Sequence, residues 1–156
     1  MGPDTAAAPS FDELFVDARP RLLRLAHLLT GSAALAEEVV QEAFVVLHQR
    51  HHAVDDRAAY LRGVVVNLAR KTQRRRGVEQ RHAARRGPVP VVLPPELDET
   101  WRLVRALPPD QRAVVVLRFY EDLPLAVIAT TLDKPIGTVK SLLHRALRRL
   151  AKELHP

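Results

Sequence analysis

A row of polar side chains on the third predicted helix has residue types suited to holding nucleic-acid bases. Its members recur at i, i+3, i+4 and i+7, which places them on one helix face: Asn67, Arg70, Lys71 and Arg74. Tyr60 lies about two helical turns upstream. An amide, an aromatic ring and cations together can hold unstacked single-stranded bases. The simpler interpretation is a solvated helix end whose cations complement the helix dipole.

A second set of polar residues near the C-terminus follows the pattern of a helix-turn-helix. The segment LPLAVIATTLDKPIGTVKSLLHRALRRL reads as a short helix, a tight turn and a long amphipathic helix. The N-terminal residues of such a second helix reach base edges in the major groove. The candidate duplex contacts are Thr138, Lys140, Ser141, His144 and Arg145. The alternative is an ordinary helical hairpin with a solvated basic face.

The turn of this motif carries an unusual residue. Asp133 occupies the position that usually favours glycine, and Asp tolerates the left-handed backbone conformation better than most residues. Pro135 then suits the first turn of the following helix. The turn is therefore compatible with the motif.

A third row lies on the second predicted helix and is acidic and polar. Glu38, Gln41 and Glu42 share one face with Val45, an apolar residue that would be exposed there. The polar residues alone could serve only to keep the helix soluble. The exposed valine among them favours a surface for a protein partner.

Catalytic and metal chemistry have little support in the chain. Cysteine is absent, which excludes disulfides, thiolate chemistry and cysteine-based zinc sites. His51 and His52 are adjacent and point in different directions on a helix, so they make a poor metal pair. No glycine-rich phosphate loop and no Ser/His/Asp arrangement stands out. The sequence predicts no enzyme, no metal and no cofactor.

The distribution of charge supports an anionic partner. The net charge is +6, and 20 of the 24 basic residues are arginine, which suits phosphate and guanine edges, although a GC-rich genome gives the same bias. Residues 63–95 hold 8 basic and 1 acidic residue, and residues 134–156 hold 6 and 1. The stretch before each is net acidic. This alternation predicts two units, each with a basic surface near its C-terminal end.

Helical periodicity organises the rest of the chain, and no strand pattern appears. Ser10 and Glu13 form a capping box that begins a first helix, which Pro20 is expected to kink or break and Gly31 to end. The second and third helices are predicted over 33–50 and 58–76. We therefore predict an all-α fold of two small helical domains joined by a flexible linker.

The domain boundaries follow composition. Residues 1–10 are predicted to be a disordered tail, 11–76 the first domain, 77–95 a linker rich in Gly and Pro, and 96–156 the helix-turn-helix domain. No signal peptide and no apolar run of roughly 18–20 residues is visible, so a cytoplasmic protein without membrane insertion is expected.

Four segments in this order resemble an RNA polymerase sigma factor of the extracytoplasmic-function (ECF) type, in the sigma-70 superfamily and its SigE-like subgroup. They are FDELFVDARPRLLRLAHLLTG, ALAEEVVQEAFVVLH, AAYLRGVVVNLARKTQRRR and LPPDQRAVVVLRFYEDLPLAVIATTLDKPIGTVKSLLHRALRRL. The resemblance covers about residues 11–76 and 96–154. It implies core RNA polymerase and promoter DNA as partners, and it leaves open whether an anti-sigma factor is another.

The resemblance also assigns roles to the three polar rows. The row with Glu38, Gln41, Glu42 and Val45 would dock on the clamp coiled coil of the polymerase. The row with Asn67 would open and read the −10 element, and the helix with Arg145 would read the −35 element as duplex. The runner-up is a stand-alone helix-turn-helix regulator, which has no need of the acidic row.

Overall fold

A computed structural model describes residues 9–50, 54–82 and 99–155, with the side chains of 77–82 left out of the description. Within these ranges the chain forms seven α-helices and one π-helical turn, and no strand. They are α1 (Phe11–Thr30), α2 (Ala33–Arg50), α3 (Arg57–His82), α4 (Glu99–Arg105), α5 (Pro109–Val115), the π-helical turn (Val116–Tyr120), α6 (Leu125–Leu132) and α7 (Ile136–Leu154). The predicted all-α class is confirmed.

Helix α1 begins and ends as the sequence predicts. The Ser10 hydroxyl accepts from the Glu13 backbone N–H at 3.2 Å, and the Glu13 carboxylate accepts from the Ser10 N–H at 2.9 Å. Gly31 ends the helix with a left-handed φ of 75°. The predicted break at Pro20 does not occur, because α1 is continuous across it. Pro20 has no backbone N–H to donate to the Val16 carbonyl, four residues earlier. Both residues are exposed, so solvent can hydrogen-bond to that carbonyl instead.

The first domain is a three-helix unit in which α1, α2 and α3 pack against one another. Its core consists of apolar residues at helical spacing, including Leu25, Leu28, Val40, Leu47 and Leu61. Phe15 belongs to the apolar stripe that recurs at helical spacing along α1, but 38% of it is exposed. It lies against Phe44 of α2 with ring centroids 4.8 Å apart. The stripe is therefore wider than the core that it fills.

The second domain packs α5, α6 and the π-helical turn against α7. Val114, Leu117, Ile128 and Val139 are fully buried there. The apolar face of α7 is buried through most of its length, but Leu147 and Leu154 are exposed. None of the helices in the described ranges is long and apolar enough to cross a membrane.

Helix α3 is longer than predicted. It continues to His82, so residues 77–82, assigned to the linker from composition, are helical. Gly77 disfavours the helix by only about 1 kcal/mol, and no proline occurs between Gly77 and Pro88. The remainder of the predicted linker, the predicted N-terminal tail through Ala8, and His51 and His52 lie outside the described residues.

The two domains contact each other. Helix α1 packs against α4, α5 and the π-helical turn, and α3 packs against α5 and α6. This contact brings Arg70, near the middle of α3, beside the last residue of α6.

Candidate functional site

The acidic row on α2 is a continuous exposed surface. Glu38, Gln41, Glu42 and Val45 are all exposed, and 52% of Val45 is accessible. The opposite face of α2 is buried through Val39, Ala43 and other core residues, which fixes the orientation of the helix. All four predicted partner-binding residues are therefore brought together on one face.

An apolar groove runs beside this row, between α1 and α2. Its volume is about 620 Å³, and Gln41 and Val45 lie at its edge. Phe11, Phe15 and Phe44 form its floor and walls. The Arg19–Glu37 ion pair, at 2.6 Å, bridges the two helices beside it. The sequence interpretation missed this groove, although exposed apolar residues such as Phe15 and Val45 indicate an apolar surface there.

The residues of the predicted row on α3 differ in their exposure. Asn67, Lys71 and Arg74 are exposed, and Tyr60 is half-buried against the core. Arg70 is far less accessible to a ligand, because only 11% of its side chain is exposed. The structure therefore places three of the four polar residues on an open surface and one in a contact between domains.

Arg70 binds the second domain at two points. Its Nη2 lies 3.1 Å from Asp110 Oδ1, and its Nη1 donates to the Leu132 carbonyl at 3.3 Å. Lys134 Nζ lies 3.4 Å from the other carboxylate oxygen of Asp110. Burial of the carboxyl opposes ionisation, but the hydrogen bond from Arg70 and the nearby Lys134 charge outweigh it, so the pKa of Asp110 is lowered.

The helix-turn-helix has the backbone that the sequence predicts. Asp133 ends α6 in the left-handed region, with φ 51° and ψ 51°, and Pro135 caps the start of α7. The five predicted duplex contacts are all exposed: Thr138, Lys140, Ser141, His144 and Arg145.

Two of these α7 side chains make contacts within the helix. Ser141 Oγ donates to the Gly137 carbonyl at 3.0 Å. Arg145 Nε donates to the Ser141 carbonyl at 3.3 Å. The second contact holds the Arg145 side chain along the exposed helix face.

The basic face of α7 extends further than the predicted contacts. Arg148, Arg149 and Lys152 line an open cleft of about 290 Å³ together with Arg145 and Gln111. Gln111 is buried, and its Oε1 has no hydrogen-bond partner in the described part of the chain. Arg149 and Gln111 were not singled out from the sequence, because only the fold brings α5 against this end of α7.

No group of three or more acidic or histidine side chains among the described residues is arranged to hold a metal ion. The exposed surfaces described above are acidic and apolar on α2, cationic and amide on α3, and cationic on α7.

Comparison with protein families matches both halves of the chain. The family described as Sigma-70 region 2 matches residues 14–78, and the family described as Sigma-70, region 4 matches residues 97–150. The first match contains α2 and most of α3, and the second contains the helix-turn-helix.

Curated relatives match over nearly the full length. The RNA polymerase sigma-E factor of Streptomyces coelicolor is 33% identical, over 92% of this chain and 85% of its own length. The ECF RNA polymerase sigma factor SigL of Mycobacterium tuberculosis is 33% identical, over 96% of this chain and 91% of its own length.

Solved structures share the fold. The sigma factor RpoE of Bartonella quintana, in complex with the anti-sigma factor NepR, superposes with a TM-score of 0.77 at 23% identity, covering 92% of this chain and 96% of RpoE. The ECF sigma factor SigJ of Mycobacterium tuberculosis gives 0.66 at 25% identity, covering 87% of this chain and 51% of SigJ. The two family regions in order and the identity over most of both chains establish that this protein belongs to the sigma-70 family of RNA polymerase sigma factors, in its extracytoplasmic-function group.

Proposed function

We propose that this protein binds core RNA polymerase and directs it to a subset of promoters by recognising their −35 and −10 elements and aiding −10 melting. The single observation that carries the proposal is the presence of both sigma regions in order on one chain. The protein contributes binding surfaces, and the polymerase supplies the chemistry. It is therefore not itself an enzyme.

The polymerase contact is assigned to α2. Glu38, Gln41, Glu42 and Val45 are exposed together, and neither Glu38 nor Glu42 forms an ion pair within the described ranges. Carboxylates without partners around an accessible apolar side chain fit a basic protein surface with an apolar centre. A stand-alone helix-turn-helix regulator acts without polymerase, so it would have no need of such a surface outside its helix-turn-helix domain.

The −35 contact is assigned to the first half of α7. Thr138, Lys140, Ser141, His144 and Arg145 project from the exposed face, which a major groove can accept. Arginine is well suited to guanine, since it can donate two parallel hydrogen bonds to O6 and N7. Arg148, Arg149 and Lys152 lie beyond them, at a position suited to the phosphate backbone.

The −10 contact is assigned to α3. Asn67, Lys71 and Arg74 form an exposed amide and cationic face, and Tyr60 lies at its N-terminal end. These side chains suit an unpaired strand, which presents base edges and stacking faces. Arg70 belongs to the same row, but only 11% of its side chain is exposed because it contacts the second domain.

The test is capture of core RNA polymerase, prepared from Streptomyces coelicolor, by the purified full chain, followed by transcription from a pool of genomic promoter fragments. We expect a stable complex and new start sites that share −35 and −10 elements. Duplex binding without capture of core polymerase would instead identify a stand-alone helix-turn-helix regulator.

A further inference from the structure

One buried polar side chain of the second domain has no hydrogen-bond partner for its acceptor atom. Gln111 lies on α5 and is 7% exposed, and its Oε1 is buried without a partner within the described ranges. An unpaired buried acceptor costs free energy, so an apolar residue of the same size would suit a purely structural position better. A glutamine here calls for a hydrogen-bond donor from outside its present contacts.

The local sequence explains why the usual partner is missing. Gln111 is the third residue of α5, which begins at Pro109 after the N-cap residue Pro108. A glutamine at that position commonly accepts a hydrogen bond from the backbone N–H of the N-cap residue. Pro108 has no backbone N–H, so this bond cannot form. A donor for Oε1 has to come from elsewhere.

The surroundings of Gln111 are cationic. It lines the open cleft of about 290 Å³ together with four side chains of α7: Arg145, Arg148, Arg149 and Lys152. All four are exposed, and none of them forms an ion pair in the part of the chain that the structure describes. Arginine and lysine side chains are hydrogen-bond donors without acceptors, so they are chemically matched to Oε1.

Arg149 is the arginine best placed to reach Gln111. It follows the buried Ala146 by three residues and the buried Leu142 by seven, so it lies at the edge of the buried face of α7. Arg148 is rotated from it by about 100° around the helix, away from that face. Because Gln111 is itself buried, an arginine at the edge of the buried face reaches it more readily than one at the centre of the exposed face.

We propose that Gln111 is a positioning residue for duplex binding: when α7 docks on DNA, Oε1 accepts a hydrogen bond from the Arg149 guanidinium and holds it on a backbone phosphate. Arginine can serve both groups, since its five N–H donors are spread around a planar fork. The bond to Oε1 favours the rotamer that reaches the phosphate, which offsets the side-chain entropy lost on binding. The proposal rests on the proposed function, because it requires α7 to lie against duplex DNA.

Gln111→Met tests this role, because methionine keeps the length of the side chain and removes the acceptor. Since Oε1 is unpaired in the free protein, the midpoint of urea unfolding should stay unchanged or rise. Binding of the full chain to a random-sequence duplex of about 20 base pairs should weaken roughly three- to tenfold, since phosphate contacts do not depend on base sequence. Unchanged affinity, or a loss of affinity matched by a lower unfolding midpoint, would overturn the proposal.

A double-mutant cycle identifies the arginine that Gln111 positions. Arg149→Met alone should weaken duplex binding and reduce the salt slope by about one, the loss of one phosphate contact. When Gln111→Met is already present, adding Arg149→Met should cost roughly three- to tenfold less affinity than it does in the wild-type protein, because the two side chains act as one unit. Additive losses would show that Gln111 does not act through Arg149.

Arg148→Met is the matched control for this cycle. It removes a neighbouring exposed arginine that lines the same cleft but lies on the other side of the helix face. We expect it to weaken duplex binding by the same factor with and without Gln111→Met. Coupling of Gln111 with Arg148 as strong as its coupling with Arg149 would indicate a general change of the cleft and contradict the assignment.

The remaining outcomes are also decisive. If circular dichroism shows that Gln111→Met does not fold, Gln111→Leu also removes the acceptor and is judged by the same criteria. Coupling of Gln111 with Arg149 in a protein that never captures core RNA polymerase would contradict the proposed function and leave the role of Gln111 standing. Capture of the polymerase and duplex binding without coupling would do the reverse. A wild-type protein that binds no duplex would overturn both.

Discussion

At the scale of single residues, Arg70 and Arg145 show how environment separates two side chains of the same type. Both were predicted to face DNA, and both lie on polar helix faces. Arg145 is exposed and donates to the carbonyl one turn earlier, at 3.3 Å. Arg70 is covered by the second domain and binds Asp110. The difference arises from a residue 40 positions away in the sequence.

Replacing Arg145 by Ala is expected to weaken duplex binding at the −35 element and to relax the base preference at one position. A bidentate contact with guanine contributes about 1–3 kcal/mol of discrimination. Footprinting and competition with single-base promoter variants measure both effects. Arg102→Ala, which removes another exposed arginine, from α4, serves as the control and should leave base preference unchanged. An unaltered preference at every position in Arg145→Ala would contradict the assignment.

Glu42→Lys is expected to weaken capture of core RNA polymerase by at least about tenfold, because a repelling charge replaces an attracting one at the contact. Binding of the helix-turn-helix domain to duplex DNA should not change. Asp55→Lys provides a control, since it reverses an exposed charge of the same domain that lies outside α2. Equal losses of polymerase and DNA binding in Glu42→Lys would indicate unfolding and not a lost contact.

At the scale of helices, the ends are set locally and the faces are set by packing. The capping box at Ser10, the glycine end at Gly31 and the left-handed Asp133 all follow from residue type. By contrast, the exposure of Phe15 and Leu147 depends on which neighbouring helix covers them. Periodicity identifies the apolar face of a helix, but it does not show how much of that face the neighbouring helices cover.

Gly31→Ala and Gly63→Ala are expected to change stability in opposite directions. Gly31 has a φ of 75° and lies against Arg105, so alanine would be strained and would displace that side chain. The left-handed conformation costs alanine about 1–2 kcal/mol. Gly63 lies within α3 with nothing within 4 Å of a new Cβ, so alanine there should gain up to about 1 kcal/mol. Chemical denaturation measures both, and a stabilised Gly31→Ala would contradict the left-handed end of α1.

At the scale of the whole molecule, the contact between domains unites two regions with separate functions. It joins Arg70 of α3 to α5 and α6 through polar groups, while the buried apolar residues of the two domains form one continuous core.

The Arg70–Asp110 pair gives a pH prediction at this scale. Because the pKa of Asp110 is lowered in the folded state, the unfolded state binds the proton more tightly. The stabilisation is therefore complete above the ordinary aspartate pKa of 3.8 and is lost as the pH falls through the lower folded value. We expect Asp110→Asn to cost about 0.5 kcal/mol, since 44% of the Asp110 side chain is exposed. Urea unfolding at pH 8 and pH 5 should give the same cost, and a cost that disappears by pH 5 would contradict the lowered pKa.

The sequence by itself determined the elements and the exposed rows of this protein. Helical periodicity, the capping box and the turn at Asp133 are local, so they can be read directly from neighbouring residues. For the same reason the acidic row on α2 and the polar face of α7 were predicted residue by residue. The end of α3 was missed, because a glycine alone does not end a helix that good helix formers continue.

Only the tertiary structure decided which predicted contacts are accessible together. The covering of Arg70, the burial of Arg112 against the Leu29 carbonyl and the place of Gln111 beside the α7 cations all join residues distant in the sequence. No local pattern encodes such pairs, because they depend on how the two domains pack. The sequence therefore determined the exposed polar rows, while the packing of the two domains decided that the row on α3 is partly covered.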